Sequence, residues 1–294
     1  MGTRLLARRP ARSAIVVLVP LLLGACAAGS ASPTGSPGPS PSPTTGSGAI
    51  EHPTGATTVI LRLDEGGGFV APGFLVTEAP AFSLYGDGTA IFRDPTAQPL
   101  PPVGQVIRGV PFQALRLSEI QVQALLAFAL GPGGLATALP QYQRPIADTP
   151  TTTFTIAVDG TTKRVSVNGL GIGAEAGVDP PILTALMALR ARLLGFGASV
   201  SGETTWLPDR YRGILMDMTG GLDLPGTPIK WPWTAIAPAD FTKASDPGLP
   251  PWPIRTLTPA DVEALGVGRL EGGAQGILLD RPEGTAGSPY GFAV

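Results

Sequence analysis

FSLYGDGTAIF, residues 82–92, places two short runs, Phe82–Tyr85 and Thr89–Phe92, on either side of Gly86-Asp87-Gly88. Glycine and aspartate tolerate positive φ, so the stretch predicts a β-hairpin with its turn at 86–88. The same grammar recurs downstream. Phe154, Ile156 and Val158 run into Asp159-Gly160, and Val165 and Val167 return on alternate positions. Upstream, Val59 to Leu63 alternates as a strand does, and Asp64-Glu65-Gly66-Gly67-Gly68 is expected to break it.

Helices lie among the strands. Ser118 can cap and Gln121 can complete the capping box, with Leu117 packed against Val122. Val122, Leu125, Leu126 and Ala129 then make one buried stripe, which Gly131-Pro132 ends. A second helix begins at Asp179, with Pro180 in its first turn. It presents Ile182, Leu186, Leu189 and Leu193 on one face and stops at Gly195. LSEIQVQAL, residues 117–125, aligns with LTPADVEAL, residues 257–265, and predicts a third helix capped by Thr258. Pro111-Phe112 and Pro251-Trp252 match at the same spacing. Strand candidates at 212–218, 228–235, 276–280 and 290–294 surround this third helix.

The expectation is therefore an α+β fold, with helices packed on small antiparallel sheets built from β-hairpins and arranged as two related units. The units span residues 50–200 and 201–294, as separate domains or as one joint domain. The segment from Phe82 to Phe196, with its "GDG" hairpin and the strand entry Asp148-Thr149-Pro150-Thr151, resembles a domain recurring in bacterial secreted proteins and lipoproteins of uncharacterised function. That resemblance implies the fold and brings no catalytic residues with it.

The N-terminus reads differently. Arg4, Arg8, Arg9 and Arg12 precede an apolar run, Ala14 to Leu23, too short to span a bilayer and suited to a signal peptide over residues 1–25. Both the general and the twin-arginine export routes remain open. Leu23-Gly24-Ala25-Cys26 resembles the lipobox of bacterial lipoproteins. The resemblance implies cleavage before Cys26 and acylation of its sulfur, a lipid anchor such as palmitate on the outer face of the cytoplasmic membrane. Cys26 is the only cysteine in the chain. Residues 26–49 continue as a Gly/Ser/Pro/Thr tether with no charge, a composition that cannot build a core.

Without the signal peptide the chain carries 16 basic and 22 acidic side chains, a net charge of −6. This argues against a nucleic-acid partner. No disulfide or thiolate nucleophile is available beyond Cys26, and no cofactor or metal is expected. His52, the only histidine, sits at the junction of tether and domain and reads as a solvated junction residue. G-x-S-x-G, S-x-x-K, H-E-x-x-H and phosphate-loop motifs do not occur.

Carboxylates remain as candidate acids and bases: Asp64-Glu65 before the triple glycine, and Asp217 with Asp223. Trp231 and Trp233 share one face of an extended segment, and Trp252 sits in a proline-rich stretch. These three make a candidate ligand face whose alternative is core packing. The expected role is non-catalytic: binding an envelope protein, a peptide or a wall polymer. A carboxylate-based hydrolase of envelope polymers and a spacer without a specific ligand are the alternatives.

Overall fold

The computed structural model describes residues 48–68, 77–94, 96–172, 179–219, 226–243 and 252–294. The expected signal peptide, Cys26, most of the tether and Asp223 lie outside them.

The predicted hairpin forms. β2 (Phe82–Tyr85) and β3 (Thr89–Arg93) pair antiparallel, with Phe82 opposite Phe92. Gly88 takes φ 87° at the turn, where a Cβ would also sit 2.6 Å from the Leu117 carbonyl oxygen. The second hairpin joins β7 (Pro150–Val158) to β8 (Thr161–Asn168). The break expected after Leu63 is absent. β1 runs from Val59 to Gly67, and its acid-and-glycine end stays in register with β7 as far as Gly67 opposite Pro150. Partnership along a nine-residue neighbour outweighs the weak strand preference of these residues.

That pairing corrects the expected architecture. β1 lies between β2 and β7, so both hairpins belong to one continuous sheet and not to small separate ones. With β5 (Phe112–Arg116), β6 (Gln141–Tyr142) and β9 (Thr204–Thr205) the sheet has eight strands in the order β6-β8-β7-β1-β2-β3-β5-β9. A five-stranded sheet holds β10 (Tyr211–Asp217), β11 (Thr242–Lys243), β12 (Pro253–Leu257), β14 (Ile277–Leu279) and β15 (Tyr290–Ala293). A two-stranded ribbon pairs β4 (Ile107–Arg108) with β13 (Ala274–Gln275). Strand thus outweighs helix among the described residues, and helices are minor elements of the fold.

The helices are α1 (Glu119–Leu130), α2 (Pro180–Leu194) and a five-residue α3 (Pro259–Glu263). Strand-then-capped-helix recurs at β5–α1 and β12–α3, yet the sheets around them differ in strand number and order, so the two related units are not seen. Capping chemistry repeats because it solves the same local problem of unpaired N–H groups. Thr258 Oγ1 accepts from Asp261 N at 3.2 Å, and Asp261 Oδ2 accepts from Thr258 N at 2.8 Å. At α1, Gln121 Oε1 accepts from the Ser118 N–H at 2.9 Å. The expected stripe of α1 is buried in full. α2 buries Leu183 with Leu186, Leu189 and Leu193, and leaves Ile182 partly covered.

One apolar cluster joins these helices to the large sheet through Ile60, Phe82, Phe92 and Phe154. A second, under the smaller sheet, gathers Trp233, Phe241, Leu257 and Phe292. Both belong to a single unit, Gly46–Val294. The β4–β13 ribbon links the segments that carry them, with Gly109 N donating to Gly273 O at 2.9 Å.

Candidate functional site

Beside the ribbon lie two adjoining hollows of about 400 and 340 Å³ that share Glu78, Arg93, Gly272 and Gly273 in their walls. Together they form a cleft between the end of the large sheet and the 270–274 turn.

Glu78 lies against the end of β1. Its carboxylate accepts the Gly67 N–H, and a Cβ on Gly66 would meet Glu78 Oε2 at 2.3 Å, so glycine is what lets the carboxylate approach this backbone. Burial, and next the charge of Glu65, push the Glu78 carboxyl up to about 6; the Gly67 N–H and Arg93 oppose the rise. Glu65 accepts from Thr152 Oγ1 at 3.3 Å and pairs with Arg190 of α2. Asp64 points the other way, as neighbours on a strand do, and pairs with Arg62 at 2.8 Å. The sequence-adjacent acids are therefore separated, and Glu65 shares the cleft with Glu78 instead.

Arg93, at the end of β3, spreads its guanidinium over the Phe112 ring at 4.3 Å. Its Nε is buried and has no hydrogen-bond partner. Burial lowers its pKa, and the charge of Glu78 works against that. Glu271 is 6 % exposed; one oxygen pairs with Arg269, and the buried Oε2 has no partner. Burial, then the Glu271 charge, raises the Tyr211 phenol. Trp206 meets Phe112 edge-on at 6.0 Å and gives this part of the cleft an apolar wall.

Glu78, Arg93 and Glu271 carry no motif. They are far apart in sequence and belong to separate elements, so their meeting is legible only in three dimensions. Glu78 gives a testable titration. A carboxyl whose folded pKa is raised favours the fold at low pH and costs stability as pH rises through about 6. Glu78→Gln is expected to stabilise the protein near pH 7.5 by less than about 1 kcal/mol, because the open cleft screens the charge. The gain should vanish near pH 4, as denaturant unfolding at the two pH values will read.

The other expected site residues lie elsewhere. Asp217 accepts from Thr219 N at 2.9 Å and from Arg281 Nη2 at 2.7 Å. Hydrogen bonds from Thr219, and then Arg281, hold its carboxyl down at about 2, the state of an ionised turn residue. His52 is not the solvated residue expected. Its side chain is 5 % exposed, with Nε2 3.1 Å from Glu119 Oε1 and Nδ1 2.8 Å from the Pro53 carbonyl. It fastens the chain entry to the start of α1, where Ile50 N also donates to Gln123 Oε1 at 2.8 Å.

Trp231 and Trp233 meet edge-to-face at 5.1 Å within a ring cluster that includes Phe241, Tyr290 and Phe292. Their indole N–H groups donate to the carbonyls of Ile236 and Asp261, both at 2.8 Å. Trp233 is 7 % exposed and belongs to the second core. Trp252 is half-buried at the entry to β12.

Among the described residues no group of three His, Cys, Asp or Glu side chains could hold a metal ion, and no helix is long and apolar enough to cross a membrane. Comparison of the chain with protein-family models, with curated proteins and with solved structures found no match.

Proposed function

We propose that the protein is an exported lipoprotein, held to the outer face of the cytoplasmic membrane through acylated Cys26, whose folded part binds an envelope ligand in the cleft between the sheets. The observation that carries the binding role is the cleft itself: a concave site lined by Glu78, Arg93 and Glu271, with polar atoms left unpaired beside the apolar Trp206 and Phe112. Concave, partly apolar sites with a few convergent polar groups are where ligands bind. The anchor rests on the Leu23–Cys26 sequence alone. Two acyl chains and a tether would hold the cleft at the membrane surface without fixing its orientation.

The tagged full chain is expected to incorporate labelled palmitate and to fractionate with membranes, and Cys26→Ala to lose the label. From gently solubilised envelopes the wild-type chain should capture one reproducible protein or wall fragment. An unlabelled chain overturns the anchor, and a bait recovered alone overturns the binding role.

One observation favours a second reading, hydrolysis of an envelope polymer. Glu78, raised to about 6, and Glu65 line the same hollow, which sets a carboxyl of raised pKa beside a second carboxyl group. Release of soluble fragments from purified envelope polymer, abolished by Glu78→Gln, would establish it. No release would exclude it for the polymers used.

A further inference from the structure

The cleft presents polar atoms without hydrogen-bond partners on side chains of both signs, from different parts of the fold. Arg93, from the large sheet, has a buried Nε without a partner, while Glu271, from the turn before β13, has a buried Oε2 without one. Both side chains line the same hollow. Unpaired polar atoms are expensive to bury and uncommon in folded proteins, and charged ones more so. A ligand that paired with both would remove the cost at each.

We propose that the cleft recognises a short zwitterionic peptide, its carboxylate on the Arg93 guanidinium and its ammonium on the Glu271 carboxylate. The proposal rests on the reading of the cleft as the ligand site. A planar guanidinium matches the two oxygens of a carboxylate, and a carboxylate accepts readily from an ammonium. Ligands of a single charge fit less well. A dianion would pair with the arginines but would leave Glu271 Oε2 without a donor and face Glu78 as well. A dication would face Arg93 together with Arg62, Arg210 and Arg212, which line the same hollow. Phe112, Trp206 and Pro208 supply an apolar wall for a peptide side chain. A volume of about 340 Å³ lies at the small end of ligand pockets and suits a short peptide better than a folded partner.

The test is calorimetric titration of the detergent-solubilised full chain with a set of Ala-Xaa dipeptides, each also in N-acetylated and C-amidated form. At least one free dipeptide is expected to bind, with acetylation and amidation each weakening it tenfold or more. Glu271→Gln, nearly isosteric, should erase the discrimination against the acetylated form and leave that against the amide. Arg93→Gln should do the reverse. Arg93→Lys, which keeps the charge and loses the planar fork, should fall between wild type and Arg93→Gln. Thermal unfolding of each variant separates a lost contact from a lost fold, because misfolding would weaken every peptide form alike.

The proposal is overturned if no dipeptide binds, or if acetylation and amidation leave affinity unchanged. Should dipeptides fail while the chain still captures an envelope partner that Arg93→Gln releases, the peptide assignment falls and the binding role stands. If the wild-type chain captures nothing either, both fall.

Discussion

Trp233→Ala is expected to destabilise the fold by about 3–5 kcal/mol, the usual cost of deleting a large buried aromatic. Its indole touches four parts of the second core at once. It meets Trp231 at 5.1 Å, Phe241 at 6.1 Å and Phe292 at 5.6 Å, and its N–H donates to the Asp261 carbonyl of α3. Truncation opens a cavity that rings on three segments cannot easily collapse to fill, and it strips a hydrogen bond from a five-residue helix with little stability of its own. Trp233→Phe should recover most of the packing and lose the bond, costing about 1–2 kcal/mol. Denaturant unfolding measures both. An alanine variant as stable as wild type would remove Trp233 from the core and return it to the surface role that its spacing from Trp231 suggests.

Gly272→Ala should be nearly as damaging, for a different reason. A Cβ there would lie 2.3 Å from the Val110 carbonyl oxygen and 2.6 Å from the Gly109 carbonyl carbon. Both are backbone atoms and cannot rotate aside. The reciprocal substitution, Gly109→Ala, meets the Gly272 carbonyl oxygen at 2.1 Å. Relief requires the two segments to separate, which breaks the 2.9 Å bond from Gly109 to Gly273 and loosens the β4–β13 ribbon. Overpacking of this kind costs about 1–3 kcal/mol, and lost ribbon bonds add to it. Gly284→Ala is the control. Its φ of 84° strains alanine by about 1–2 kcal/mol, but nothing lies within 4 Å of the new atom. Gly272→Ala should also weaken ligand binding, because Gly272 lines both hollows. A Gly272→Ala variant as stable as wild type would show that the close approach carries no energy.

These two sites mark where sequence reasoning reaches and where it stops. The hairpin turns at 86–88 and 159–160, the stripe of α1 and the Thr258 cap were legible because each is decided within a few residues by φ preference, periodicity or a local hydrogen bond. The joining of β1 to β7 was not, because Leu61 pairs with Ile156, about a third of the chain away. Local alternation identifies a strand and says nothing of its neighbour. That gap turned one eight-stranded sheet into two small ones, and Asp64-Glu65-Gly66-Gly67 into an expected break.

The same limit governed the site. Asp64 and Glu65 stood out by adjacency, yet strand geometry sends them to different partners. Glu78, Arg93 and Glu271 are unremarkable in sequence and acquire their chemistry from burial and, for Glu78 and Arg93, from each other's charge. The Trp231–Trp233 spacing was legible, while the carbonyls that take up both indole N–H groups were not.

The claim on which the functional account turns is that ligand meets this protein in the cleft. Photo-crosslinking in intact envelopes tests it directly. A photoreactive residue at Arg210, exposed and lining the cleft, is compared with one at Ile120, 82 % exposed on α1 and outside the cleft lining. The account predicts a discrete adduct from position 210, lost when Glu271→Gln is added, and none from position 120. No adduct at 210, or the same adduct from both positions, would contradict it.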